Sequence, residues 1–303
     1  APRMASALAL VCFMFVAGYC ARRFNRLPDN AADVLNRFVI DICVPATILR
    51  LVPKLTLGSH LLLLAITPWF FAGLAWAVAR VAQKLLRLQR EHTIALFLAT
   101  SLGNTSFLGF PLCQALLGEA AVPLAAVYDQ LGSFLLLGTV APVALARATA
   151  GSAPKWSELL RRVLQFPPFL ALLLALLLAA LHVPHMAWLD VLLIGAAAPL
   201  VPLAMFAVGL KLRFSAPRPR RVFALGLMLK LAIFPLLAWG ISALLHAPPL
   251  VLKVNVLETA MPTMITAGAL MMAQGVAGEL AAAFVGWGLV LALITIPAWA
   301  AIL

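Results

Sequence analysis

Ten apolar runs of bilayer-crossing length follow one another along this chain, joined by short links. A hydrocarbon core about 30 Å thick needs roughly 17–25 apolar residues per helix. Runs that fit lie at about 4–20, 31–52, 60–80, 92–117, 121–146, 165–182, 187–210, 222–245, 250–273 and 279–302. A chain in lipid must satisfy its own backbone polar groups, which a helix does within one segment. The spacing therefore predicts an all-α integral membrane protein with ten transmembrane helices, here called spans 1 to 10. Composition removes the soluble alternative. The residues are 64% hydrophobic and 11% charged, with a mean hydropathy of +1.07, whereas a soluble domain is about 45–50% apolar and about 25% charged.

The formal net charge of +12 does not point to nucleic acid, because the basic residues cluster between apolar runs, as in cytoplasmic loops. With the N-terminus outside, the inner loops hold sixteen Lys and Arg, from Arg22, Arg23 and Arg26 to Arg218, Arg220 and Arg221. The outer side holds four: Arg3, Arg50, Lys54 and Lys253. Both termini are thus expected outside, in keeping with an even span number. Run 4–20 has its charges after it, so it is not read as a cleavable signal peptide. Cys12, Cys20, Cys43 and Cys113 form no CxxC pair and read as small apolar residues. No metal-ligand spacing links His60, His92, His182, His185 and His246, so no metal is assigned to them.

The chain reads as two five-span halves, 1–146 and 164–303, with a cytoplasmic linker 147–163 containing Gly151, Ser152 and Pro154. Gly118 and Gly275, Pro142 and Pro297, and Pro45 with Pro199 and Pro202 recur at offsets of 154–157 residues. An odd number of spans per half forces the second half to be inverted, a recurrent plan of secondary transporters.

Spans 4 and 9 are poor helix interior. Span 4 holds Ser101, Gly103, Asn104, Thr105, Ser106, Gly109 and Pro111 within eleven residues. Pro111 lacks an N–H and clashes with the carbonyl of Phe107. Span 9 holds Glu258, Thr259, Met261, Pro262 and Thr263, and Pro262 is expected to free the carbonyl of Glu258. A carboxylate and a spare backbone oxygen are the ligands hard cations use, and half-helix N-termini suit anions. Two interrupted helices at corresponding positions point to a transport site. The simpler reading is a kink with small residues for close helix packing.

Ionisable residues inside spans are costly and mark function by default. Asp41 shares a face with Arg37 at i, i+4, so the two also read as a structural ion pair. Asp129 in span 5 has no partner nearby in sequence. Lys230 in span 8 either pairs with a buried carboxylate, faces an anionic substrate, or snorkels to the inner face. Lys253 and Arg50, near span ends, read as snorkelling residues.

These residues resemble the auxin efflux carrier family, within the wider superfamily that includes the bile acid–sodium symporters. The resemblance is carried by Leu35 to Val39 with Pro45, Gly103-Asn104-Thr105 with Gly109-Phe110-Pro111, Tyr128-Asp129-Gln130, Lys230 with Pro235, and Ala260-Met261-Pro262. It covers essentially the whole chain. It implies a five-plus-five inverted repeat in which discontinuous spans 4 and 9 cross at the site. It also implies a scaffold of spans 1, 2, 6 and 7 and a moving core of spans 3–5 and 8–10. Bacterial members are similar to permeases for small organic anions such as malonate or malate. The long central loop of the plant auxin carriers is missing here, so a compact carrier of the bacterial cytoplasmic (inner) membrane, termini periplasmic, is expected.

The resulting reading is a secondary active transporter of a small organic mono- or dicarboxylate working by alternating access, coupled to Na+ or H+. Asn104, Thr105, Pro111, Lys230, Met261, Pro262 and Thr263 are the substrate-site candidates. Glu258, Asp129 and Asp41 are the coupling-ion candidates, and the resemblance puts a Na+ at Glu258 and Asn104. A channel or a non-transporting receptor on the same scaffold is the rival. An enzyme is not expected, since HExxH and GxSxG are missing, and neither is an ATP-driven pump, since no phosphate loop occurs. The expected partners are the anion and the bilayer, with a homodimer left open.

Overall fold

Each apolar run that the sequence marks is helical in the computed structural model, which describes residues 2–56, 58–149, 154–183 and 186–303. Up to residue 148 the chain forms α1 (Pro2–Arg23), α2 (Ala31–Phe38), α3 (Val44–Leu51), α4 (His60–Leu86), α5 (Arg90–Ser101), α6 (Phe110–Leu117), α7 (Val122–Tyr128) and α8 (Phe134–Ala148). After it come α9 (Trp156–Leu164), α10 (Pro167–Ala180), α11 (Ala187–Ala197), α12 (Leu200–Lys211), α13 (Arg220–Met228), α14 (Phe234–Leu244), α15 (Pro249–Thr259), α16 (Ile265–Ala273) and α17 (Gly278–Ile302). Among the described residues there is no strand, only one isolated bridge.

Six helical stretches are long and apolar enough to cross a membrane, or seven if α9 and α10, bent by 67°, count as one. The expected count of ten is not reached on length and composition. Runs 92–117 and 250–273 are interrupted in the middle, and run 31–52 carries Asp33, Arg37, Asp41 and Arg50. The expected linker 147–163 holds all but the last residue of α9, whose Leu159 and Val163 are buried one turn apart. Residues 150–153, Gly151 and Ser152 among them, lie outside the described residues, as does His185.

Four wide π turns, with hydrogen bonds reaching five residues along instead of four, interrupt the α-helices. They span Val39–Cys43, Thr105–Gly109, Asp129–Ser133 and Leu229–Ile233. Three of them end two residues before a proline: Pro45, Pro111 and Pro235. A proline clashes with the carbonyl four residues back, here that of Asp41, Phe107 or Leu231, the middle residue of each turn. Opening the helix by one residue there relieves the clash. The fourth turn puts Gly132 against the ring of Pro68 in α4, leaving no room for a side chain. Such turns recur at functional positions, and Asp41, Thr105, Asp129 and Lys230 all sit in one.

α1 packs along α12 with backbones nearly touching. A Cβ on Gly18 would overlap the carbonyl oxygen of Phe206, and one on Gly209 that of Phe15. Small residues that let helix backbones approach are how helices associate where lipid is as apolar as the side chains. Two apolar clusters fill the interior. One centres on Phe110, Leu112, Leu172 and Leu257, the other on Leu96, Leu98, Phe234 and Phe284. Leu62, Ile66, Val191 and Ile294 stay exposed, facing outward where a bilayer is the solvent.

Candidate functional site

Backbone that leaves the helix inside a membrane must find its hydrogen bonds elsewhere. Here the two interruptions satisfy each other. The first is Leu102, Gly103 and Asn104 after α5; the second runs from Ala260 to Met264, between α15 and α16. Asn104 N donates to the Pro262 carbonyl at 2.8 Å, and Met264 N to the Leu102 carbonyl at 2.8 Å. Gly103 and Thr263 form the antiparallel bridge, and the Thr263 hydroxyl donates to the Ala99 carbonyl at 2.9 Å. The freed carbonyl expected at Glu258 is not free: the Met261 N–H bends back to it at 3.2 Å. Pro111 lies beyond the break, in the first turn of α6, because the π turn at Thr105–Gly109 has already taken up its clash.

Charge and polarity converge on this meeting point. Lys230 is 5% exposed, and a Cβ on Gly103 would stand 3.1 Å from its ammonium and 3.3 Å from the Met261 carbonyl oxygen. A side chain at Gly103 would therefore press on the lysine ammonium. Among the described residues no carboxylate lies within 4.0 Å of Lys230. Asn104 is buried, and neither Nδ2 nor Oδ1 has a protein partner. Glu258 is fully buried; Oε1 accepts a hydrogen bond from Cys113 Sγ at 3.3 Å, and Oε2 has no protein partner. A Cβ on Gly109 would lie 2.5 Å from that Oε2, so the carboxylate rests on bare backbone of the π turn. Buried polar groups are nearly always hydrogen-bonded, and each unsatisfied one costs about 1–3 kcal/mol. A buried ammonium and carboxylate that act on each other without touching, with an unpartnered carboxamide, suit ligands of both signs.

Asp129 is differently placed. Its carboxylate accepts hydrogen bonds from the hydroxyls of Thr105 and Ser106 and from the Gln130 carboxamide, so it braces the first break from within the protein. Next to it, Tyr128 OH and the Thr259 hydroxyl are 3.1 Å apart, linking α7 to the end of α15. Asp41 is not brought to this cluster. It pairs with Arg37 at 3.3 Å on a face where its side chain is 42% exposed. Among the described residues no group of three His, Cys, Asp or Glu is arranged to hold a metal.

The two breaks expected from the sequence are present, with Lys230 and Glu258 buried near them, whereas Cys113, the hydroxyl cradle of Asp129 and the Tyr128–Thr259 link were not foreseen. Spacing held a clue for Cys113 only, one helical turn beyond Gly109. For Arg50, expected to snorkel at a span end, the structure adds specific partners. Arg50 is turned toward Glu119 and Asp190, with Lys54 at 3.4 Å from the same Asp190. These ion pairs tie α3 to α11 and to the turn that precedes α7. At the basic end of the bundle a cavity of about 590 Å³ is lined by Arg22, Lys211, Arg213, Asp29 and Asp33. Ile265, the first residue of α16 after the second break, also lines it.

Comparison with known proteins points to a membrane transport family. Residues 3–300 match the family model described as membrane transport protein. An uncharacterized transporter of Methanothermobacter thermautotrophicus is 28% identical over 298 residues, covering 97% of this chain and 96% of its own. An uncharacterized transporter of Methanocaldococcus jannaschii is 26% identical over 272 residues, 84% of each chain.

Proposed function

This chain belongs to the membrane transport protein family, the auxin efflux carriers that its sequence resembles, and we propose that it is a secondary carrier of a small organic anion. The observation that carries this reading is the buried ammonium of Lys230 against Gly103, next in sequence to Asn104 with its unpartnered carboxamide, at the meeting of two helix breaks. A carboxylate seated there would take a charge-assisted bond from Lys230 and a neutral one from Asn104 Nδ2. Met261, Pro262, Thr263, Thr105 and Pro111 would shape the walls. Glu258, whose free oxygen faces the π turn, would hold the coupling ion, Na+ with Asn104 Oδ1 or else a proton. Asp129 would stiffen the seat.

The topology we propose has ten spans in two inverted halves, 1–146 and 164–303, with spans 4 and 9 crossing as discontinuous helices. Spans 1, 2, 6 and 7 would form the scaffold and the others the moving core, in a prokaryotic cytoplasmic membrane with both termini outside. The cavity at the basic end and the ion pairs of Arg50 at the other end support a carrier open to the inside. Alternating access would then break the Arg50–Glu119 pair and close that cavity.

The test is uptake of labelled mono- and dicarboxylates into proteoliposomes, with an imposed sodium gradient or pH gradient. Saturable uptake that is stimulated by unlabelled anion inside the vesicles is the expected result. Uptake that is neither saturable nor stimulated would leave the channel reading, and none at all the receptor. In the same assay Glu258→Gln is expected to lower gradient-driven uptake roughly tenfold or more, the loss of one charge-assisted contact, while anion exchange across the membrane continues. Gradient-driven uptake at the wild-type rate in that variant would remove Glu258 from coupling.

A further inference from the structure

A second binding site lies on the flank of the protein, away from the crossing. Between α4, α5 and α8 runs an apolar groove of about 280 Å³, bounded by Trp69, Trp76, Phe97, Leu136 and Val140. At its basic end is a pocket of about 440 Å³ lined by Arg80, Arg90 and Arg147 with Gln83 and Thr93. Trp76, Ile94 and Arg147 line both, so the two form one continuous feature. Trp69 and Trp76, 41% and 36% exposed, leave its side open at the surface of the bundle.

The arginines converge without an acid to answer them. Among the described residues none of the three has a carboxylate within 4.0 Å. Arg80 is steadied by the Gln83 carboxamide oxygen at 2.7 Å and by the Trp76 ring, 5.7 Å from guanidinium to ring centre. Three like charges drawn to one pocket repel each other unless an anion joins them. A phosphate suits them, because planar guanidiniums meet phosphate oxygens in paired hydrogen bonds. A freely soluble anion would leave the apolar groove below it unfilled, whereas a lipid fills both parts.

We propose that this feature is a binding site for an anionic phospholipid of the leaflet at the basic end. Arg80, Arg90 and Arg147 hold its phosphate, and one acyl chain lies along Trp76, Phe97 and Leu136. Basic pockets between transmembrane helices recognise anionic headgroups in this way. The site does not depend on which cargo the crossing binds.

Native mass spectrometry of the purified protein, titrated with phosphatidylglycerol and with phosphatidylcholine of identical acyl chains, tests the proposal. The wild type is expected to hold the anionic lipid roughly a hundredfold more tightly, at about tenfold or less per basic residue near the surface. Equal affinity for the two lipids overturns the proposal, and this arm needs no variant. The R80Q/R90Q/R147Q variant, checked for an unchanged melting temperature, is expected to lose the preference; full retention overturns the proposal. Gly73→Trp fills the groove, since nothing lies within 4 Å of a Cβ placed there, and leaves the arginines alone. It is expected to weaken phosphatidylglycerol binding about tenfold, the transfer cost of about two buried methylenes. Unchanged binding in that variant, or complete displacement of the lipid by inorganic phosphate, would make this a simple anion site and overturn the lipid assignment.

Discussion

Lys230→Met is expected to lower carrier-mediated uptake of a carboxylate roughly a hundredfold while leaving the protein as stable as before. Methionine keeps the length and apolar character of the side chain and removes the ammonium. A hydrogen bond to a charged group contributes about 1.5–3 kcal/mol, and its value rises where water is excluded. If Lys230 instead neutralised a buried carboxylate, the substitution would strand that charge at a cost of about 3–5 kcal/mol. No carboxylate lies within 4.0 Å of Lys230 among the described residues, while that of Glu258 acts on it from farther away, so measurement separates the two outcomes. Uptake and thermal unfolding measured on one preparation decide the matter. Unchanged uptake would take Lys230 out of the site, and a large fall in melting temperature would assign it a structural partner.

Gly209→Val is expected to have the largest effect on stability, about 3 kcal/mol or more. Overpacking ordinarily costs about 1–3 kcal/mol. Here the first added carbon already overlaps the Phe15 carbonyl oxygen and stands 3.0 Å from Tyr19 N. Those are backbone atoms, which no rotamer change moves aside, so α1 and α12 must separate along their length. Gly18→Val, meeting Phe206 and Leu210 from the other side, should behave alike. Gly240→Ala is the control, since a Cβ there meets nothing within 4 Å and helix propensity alone favours alanine by about 1 kcal/mol. Thermal unfolding in detergent checks all three. A Gly209 variant as stable as the Gly240 variant would show that the close approach is dispensable.

The helical character of the chain and the positions of its two breaks were legible because hydrocarbon leaves few alternatives. An apolar run must be helical, and Gly103, Asn104 and Pro262 inside such runs must be explained. Direction was not legible. Where Lys230, Asp129 and Thr105 point depends on the π turns that hold them, each of which rotates the following helix by about 100° relative to an unbroken one. A periodicity read across the turn therefore puts the far half on the wrong face. Partners across the fold were hidden for the same reason. Cys113 and Glu258, or Arg50 and Glu119, are far apart in sequence, and nothing local marks them as neighbours. Asp41 shows the converse: its i, i+4 partner Arg37 was in plain view, and the two do pair.

The mutual hydrogen bonding of the two breaks has a consequence for how the protein is made. Chains enter the membrane from the N-terminal end, and some 160 residues separate Asn104 from its partner Pro262. Until the later segment arrives, the N–H of Asn104 and the carbonyl of Leu102 lack the partners they have in the folded chain, at a cost of several kcal/mol each in hydrocarbon. The nascent first half therefore has reason to linger beside water or the insertion machinery until the second half completes it. Biogenesis of this fold then becomes a late, concerted docking of two halves, and substitutions at Pro262 or Thr263 would register first as poor yield rather than as altered kinetics.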